Sequence, residues 1–178
     1  GYSVSLSSDG SIVAIGALRN DGNGNLAGHV RVYQYSNSAW TQLGADIDGE
    51  AAIDNSGKAV SLSDDGTIVA IGAPLNDGNG SNAGHVRVYQ YSNSAWTQLG
   101  SDIDGEAAAD YSGWAVSLSS DGSIVAIGAY GDNSNGTDAG TVRVYQYSNS
   151  AWTQLGADID GEAAIDNSGK AVSLSDDG

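Results

Sequence analysis

The sequence predicts an all-β chain made of β-propeller blades, and three observations predict it. The stretch VSLS begins at Val4, Val60, Val116 and Val172, a spacing of 56 residues each time, and VRVYQYSNSAWTQLG is identical in all three copies, starting at Val30, Val86 and Val142. Self-similarity at such a period marks a repeat architecture. Within each copy, short alternating runs and Asp-Gly or Asn-Ser turns follow one another, and helical periodicity appears nowhere. One run per copy, IVAIGA, is apolar on both faces, as expected of a strand covered from two sides.

The second copy shows the predicted elements in order. In AVSLS (Ala59 to Ser63), Val60 and Leu62 alternate with serines, the mark of a half-buried strand. Asp65-Gly66 then makes a hairpin turn into TIVAIGA (Thr67 to Ala73). The loop PLNDGNGSNAG leads to HVRVYQYS (His85 to Ser92), and a hairpin around Asn93 returns the chain as AWTQLG (Ala95 to Gly100). An acidic linker, SDIDGEAAADYSG, reaches the next copy. Four antiparallel strands with two-faced inner strands describe a propeller blade. A flat β-solenoid is the rival, but its coils repeat at shorter periods and lack paired hairpins. The blades are expected at residues 1–56, 57–112 and 113–168, with 169–178 starting a fourth. Propellers typically close with about four to eight blades. The sequence is therefore expected to be a window on a longer array, a fragment or processed product, or a chain that associates with other copies of itself. Two copies would supply a six-bladed ring.

Composition limits the function classes. With 22 acidic against 6 basic residues and a net charge of −16, the surface repels phosphate backbones and anionic membrane faces, which argues against nucleic-acid partners. Basic proteins, cations and neutral polar ligands such as glycans suit it better. No apolar run is long enough for a membrane-spanning helix, so no membrane insertion is expected. Absence of cysteine removes disulfides and thiol chemistry. Catalysis needs unlike residues converging at one place, whereas this chain repeats the same residues three times, so an enzyme is not expected. His29 and His85 share one repeat position, with Thr141 as the third, and imply no shared metal site.

The blade SGKAVSLSDDGTIVAIGAPLNDGNGSNAGHVRVYQY resembles the FG-GAP repeat of integrin α-subunit propellers and their bacterial and algal relatives. Gly57 matches the glycine of the first pair, Gly72-Ala73-Pro74 the second motif, and Gly84-His85-Val86-Arg87-Val88 the closing strand. Ser56, Ser112 and Ser168 stand where the family has phenylalanine, and Leu18 and Tyr130 replace the proline in the other copies. The resemblance implies an extracellular or cell-surface protein that binds a protein or glycan through propeller loops. Calcium-binding members carry a longer first hairpin than SSDGS or SDDGT, so the family's calcium site has no counterpart at that place.

Several positions are candidates for function. The linker repeats four carboxylates in a calcium-loop rhythm: Asp46, Asp48, Glu50 and Asp54; Asp102, Asp104, Glu106 and Asp110; Asp158, Asp160, Glu162 and Asp166. Calcium takes six to eight oxygens, which such a loop could supply. Glycine nevertheless falls at the fourth position (Gly49, Gly105, Gly161) instead of the sixth, and Ala-Ala occupies the sixth and seventh. The competing reading is that these aspartates cap turns and solvate the rim. The loops between the second and third strands diverge most between copies. Asn20, Asp21 and Asn23, then Asn76, Asp77 and Asn79, then Asp132, Asn133 and Asn135 could hydrogen-bond a ligand there, or merely build exposed turns. Asn79 and Asn135 also head N-glycosylation sequons. Trp40, Trp96 and Trp152 are expected to pack beside strand tyrosines. Trp114 stands where other copies have Tyr2, Lys58 and Lys170, and is expected to be exposed and free to anchor a ligand. Arg31, Arg87 and Arg143 are expected to pair with nearby carboxylates. The function expected is non-enzymatic recognition or adhesion. Its alternative is a structural repeat of a surface fibre or self-assembling propeller.

Overall fold

The computed structural model describes residues 1–178, all strand, turn and loop, with no helix. The first blade contains β1 (Ser3–Leu6), β2 (Ile12–Ala17), β3 (His29–Ser36), β4 (Ala39–Gln42) and the two-residue β5 (Ile47–Asp48). The second contains β6 (Ala59–Leu62), β7 (Ile68–Ala73), β8 (His85–Ser92), β9 (Ala95–Gln98) and β10 (Ile103–Asp104). The third contains β11 (Ala115–Leu118), β12 (Ile124–Ala129), β13 (Thr141–Ser148), β14 (Ala151–Gln154) and β15 (Ile159–Asp160). Each sheet is an antiparallel meander of four strands, as the repeat predicts.

The short fifth strand is the departure from the sequence reading. Along β8, Tyr89 pairs with Gln98 and Val86 with Ile103, so Arg87 and Val88 face the four residues Leu99 to Asp102. The outer strand is thus one strand broken by a wide bulge, and the linker begins inside the sheet. Bulges re-aim side chains; this one turns Asp102 back onto Arg87. The last ten residues take the place of a fourth inner strand without sheet partners of their own. Leu174 N–H donates to Ser117 Oγ, as Leu62 does to Ser5 and Leu118 to Ser61.

The core lies between blades. Ile12, Ala14, Val30, Val32 and Ile47 of the first blade pack on Val60, Leu62, Val69 and Ile71 of the second. Ala70, Val86, Val88 and Ile103 of the second repeat the arrangement on Leu118, Val125 and Ile127 of the third. Strand β7 is consequently buried on both faces, while the same sequence in β2, packed on one side by the second blade, alternates buried and half-buried. Val4 is 64% exposed and Leu6 55%, against 9% and 7% for Val60 and Leu62. Tryptophan bridges neighbouring blades from the outer strand. Trp96 Nε1 donates to Leu43 O and Trp152 Nε1 to Leu99 O, both at 2.8 Å, and each indole tilts against the tyrosine paired with it.

Two glycines let the blades meet at their inner ends. A Cβ on Gly72 would lie 2.0 Å from Gly113 O, and Gly113 itself holds φ at +82°. Gly16 with Gly57 and Gly128 with Gly169 repeat the contact. Gly72→Ala should destabilise the chain by at least about 2 kcal/mol, since backbone on both sides has to move, measured by urea unfolding. Trp96→Ala should cost about 3 kcal/mol, whereas Trp40→Ala, on the uncovered face, should cost under about 1 kcal/mol. Equal losses at the two tryptophans would contradict the inter-blade role.

Candidate functional site

The strand order puts the β2–β3 loop and the linker of each copy at one end of its blade, and the Asp-Gly and Asn-Ser hairpins at the other. The first end carries nearly all sequence divergence between copies. Its loops are tightly built. Asn20, Asn76 and Asp132 each accept a hydrogen bond from the backbone N–H two residues on, closing Asx turns. Asp21, Asp77 and Asn133 each accept from the N–H five residues on. Asn23, Asn79 and Asn135 donate from Nδ2 to the linker carbonyls of Gly49, Gly105 and Gly161 at 2.7–2.8 Å. The amides of both sequons therefore fasten loop to linker.

The four carboxylates of each linker go to different partners. The first, Asp46, Asp102 or Asp158, binds the strand arginine (Arg31, Arg87, Arg143) and a glutamine amide (Gln42, Gln98, Gln154). The second is Asp48, Asp104 or Asp160, at the end of the short strand. The third crosses to the next blade, Glu50 to Arg87 and Glu106 to Arg143. The fourth, Asp54, Asp110 or Asp166, turns back to accept from the N–H of Ala51, Ala107 or Ala163. Asp54 and Asp110 are buried instead of solvating the rim, and Asp54 also accepts from Asn76 of the following blade.

Two groups of this region could hold a metal ion: His29 with Asp46 and Asp48, and His85 with Glu50 and Asp102. Neither was found from sequence, because the histidines lie on β3 and β8, far along the chain from the acids they face. His29 Nδ1 lies 3.5 Å from Asp46 and His85 Nδ1 3.6 Å from Asp102. Burial pulls the His85 pKa down, against the opposing pull of Asp102, Asp104 and Asp54. In both groups an arginine already neutralises the first aspartate. In the third copy Thr141 replaces histidine, and Arg143 is enclosed by Asp158, Asp132 and Glu106. Burial works against that guanidinium's charge, but hydrogen bonding to Asp158 and its acidic neighbours outweigh it and raise its pKa.

The residues just before the inner strands are Tyr2, Lys58, Trp114 and Lys170. Trp114 is half-buried, which corrects the expectation that it stands exposed. Its ring meets Tyr130 edge-on with centroids 4.6 Å apart, and Tyr130 stacks on Tyr111 at 5.1 Å and 7°. Lys58 Nζ sits 3.8 Å from the Trp114 centroid and 5.1 Å from that of Tyr2. Sequence reasoning weighed Trp114 alone. The available signal was that the second copy ends with Tyr111 where its fellows have Asn55 and Asn167, and that the third has Tyr130 where the others have Leu18 and Pro74.

The arginine seam sets an acid limit on stability. Hydrogen bonding to Arg143 holds the Asp158 carboxyl below its ordinary value of 3.8. A depressed carboxylate contributes stability that is complete above its unfolded pKa and lost as pH falls through the folded one. Asp158→Asn should cost about 2 kcal/mol at neutral pH, and the difference from the parent chain should shrink as pH falls below the ordinary carboxylate range and through the folded pKa. Urea melts across that range check it.

Comparison with known proteins agrees with this geometry. A family model described as the FG-GAP repeat matches residues 45–89 and 102–145. No curated protein sequence matches the chain. Among solved structures, a Bacteroides uniformis protein described as a 6-phosphogluconolactonase superposes with a TM-score of 0.54 at 14% identity, over 88% of this chain and 39% of its own. Hydrazine synthase of Kuenenia stuttgartiensis superposes at 0.55 and 13%, over 91% and 37%. Sqt1 of Saccharomyces cerevisiae gives 0.50 and 12%, over 87% and 34%. The chain thus spans well under half the length of these structures, and at such identities they share its fold alone. The family match covers half the chain, and its ranges include Gly57, Gly72-Ala73-Pro74, Gly113 and Gly128-Ala129. Glycine pairs at blade junctions and matching repeats lead to one conclusion: this chain belongs to the FG-GAP repeat family.

Proposed function

We propose that the chain is a non-enzymatic recognition or adhesion module of an extracellular β-propeller, binding a protein or glycan through its loop end. One observation carries the reading: the copies share their strands nearly residue for residue and diverge at that end, where the loops are fixed by hydrogen bonds to the linker. Rigid loops on a constant scaffold lose little entropy on binding, which favours recognition. In this reading the linker carboxylates are structural, because most of them are engaged by arginines, turns and the neighbouring blade.

A second reading, self-assembly into a larger ring or fibre, is favoured by the two uncovered blade faces. Val4, Leu6 and Trp40 lie bare on the first blade, and Ile159 on the third. These are the two halves of the interface that the inner blades already make. The occupant would be another copy of this chain or further blades of a longer one.

A glycan array, run with calcium and with a chelator, should show binding that survives chelation. No binding in either condition, together with filaments by electron microscopy, would replace recognition by the structural reading. Calcium added to chelator-treated protein should leave the melting temperature unchanged. Occupancy at 100 times the dissociation constant would contribute about 2.7 kcal/mol, a rise of roughly 5–10 °C for a chain of this size, and such a rise would restore the linker as a calcium site. Sedimentation should show a concentration-dependent association if the bare faces meet.

A further inference from the structure

We infer that Tyr111, Trp114 and Tyr130, flanked by Lys58 and Lys170, form a binding platform for a sugar ring that carries a single carboxylate. The inference rests on the recognition reading and names a ligand class for one part of the loop end.

Three observations carry it. In a chain whose copies are nearly identical, the junction of the second and third copies alone places aromatic residues at two further positions besides Trp114, Tyr111 at the end of the second copy and Tyr130 in the third, and all three rings meet in space. The meeting is built against local preference. Tyr111 holds φ at +55°, where Asn55 and Asn167 hold +56° and +55° in the equivalent places. Asparagine visits that left-handed region readily, and a bulky aromatic does so only at a cost. Such outliers concentrate at functional sites. Gly131 replaces Arg19 and Leu75, and a Cβ there would lie 2.2 Å from the Ala109 carbonyl oxygen and 2.7 Å from the Tyr111 ring. Glycine at this place leaves room for both the linker backbone and the tyrosine ring.

Charge points the same way. Every pairing of Lys or Arg with a carboxylate involves Arg31, Arg87 or Arg143. Lys58 and Lys170 face only rings, at 3.8 Å from Trp114 and 5.2 Å from Tyr130, although the chain holds 22 acids. Burial draws the Lys58 pKa down, a penalty that an arriving anion would relieve. Ring faces take the C–H face of a pyranose, and the ammonium groups take its carboxylate. A net charge of −16 disfavours polyanions, but at physiological salt its reach is about 8 Å, so one carboxylate beside a lysine on these rings is accepted.

The test is saturation-transfer NMR and calorimetry on the whole chain, with sialyllactose and methyl β-glucuronide against lactose and methyl β-glucoside. The acidic sugars should bind at least tenfold more tightly than their neutral counterparts. Trp114→Lys and Tyr111→Asn install residues that other copies carry at those places, so both should fold. Each should weaken acidic-sugar binding at least tenfold, and Tyr111→Asn should also raise the melting temperature. Equal affinity for acidic and neutral sugars, or binding indifferent to both substitutions, overturns the platform. If the parent chain binds array glycans unchanged by these substitutions, the platform falls and loop-end recognition stands. If it binds neither these sugars nor any array glycan or protein ligand, both fall.

Discussion

The approach of Gly72 to the carbonyl of Gly113, repeated at every blade junction, is the contact on which the architecture rests. Inner ends of adjacent blades come so close that neither backbone tolerates a methyl group. With that spacing set, IVAIGA strands are covered on both faces and the apolar core forms between sheets instead of within one. Tryptophan closes the outer edge of the same junction by bonding to the neighbouring bulge. Stability is then chiefly a property of nearest-neighbour junctions, as in other repeat proteins.

Much of this was legible in the sequence, for reasons that differ by element. His85–Ser92 was read with its true ends, because polar-apolar alternation and a turn at Asn93 define a strand locally. The fourth strand was read as running to Gly100 and stops at Gln98, since a bulge depends on what the partner strand requires. Burial of Trp114 was misjudged because its cover comes from Tyr130 and Lys58, the latter on another blade. The linker's acids looked like a set because they are close in sequence. Their partners, Arg31, Arg87 and Asn76, belong to strands and loops that only the folded blades bring near.

Charge follows the same junctions. Arg87 and Arg143 each bind acids from their own blade and the one before. Few cations in so acidic a chain therefore suffice, because they sit where two linkers converge. The loops inherit this order: a linker pinned by arginine receives the asparagine amide that pins the loop. Rigidity at the binding end is in this sense an outcome of electrostatics in the seams.

Near-identity of the copies also has a kinetic side. Three IVAIGA strands face four VSLS segments of almost the same sequence, and the side-chain pattern alone does not tell a strand its own partner from one a copy away. The hairpin supplies the choice. Closing a five-residue turn rather than a stretch of some sixty residues favours the local partner by about 2 kcal/mol of chain entropy. Those few serines and aspartates, with Asp9 and Asp65 holding the turn through their carboxylates, thereby act as the proofreader of strand pairing while the chain folds.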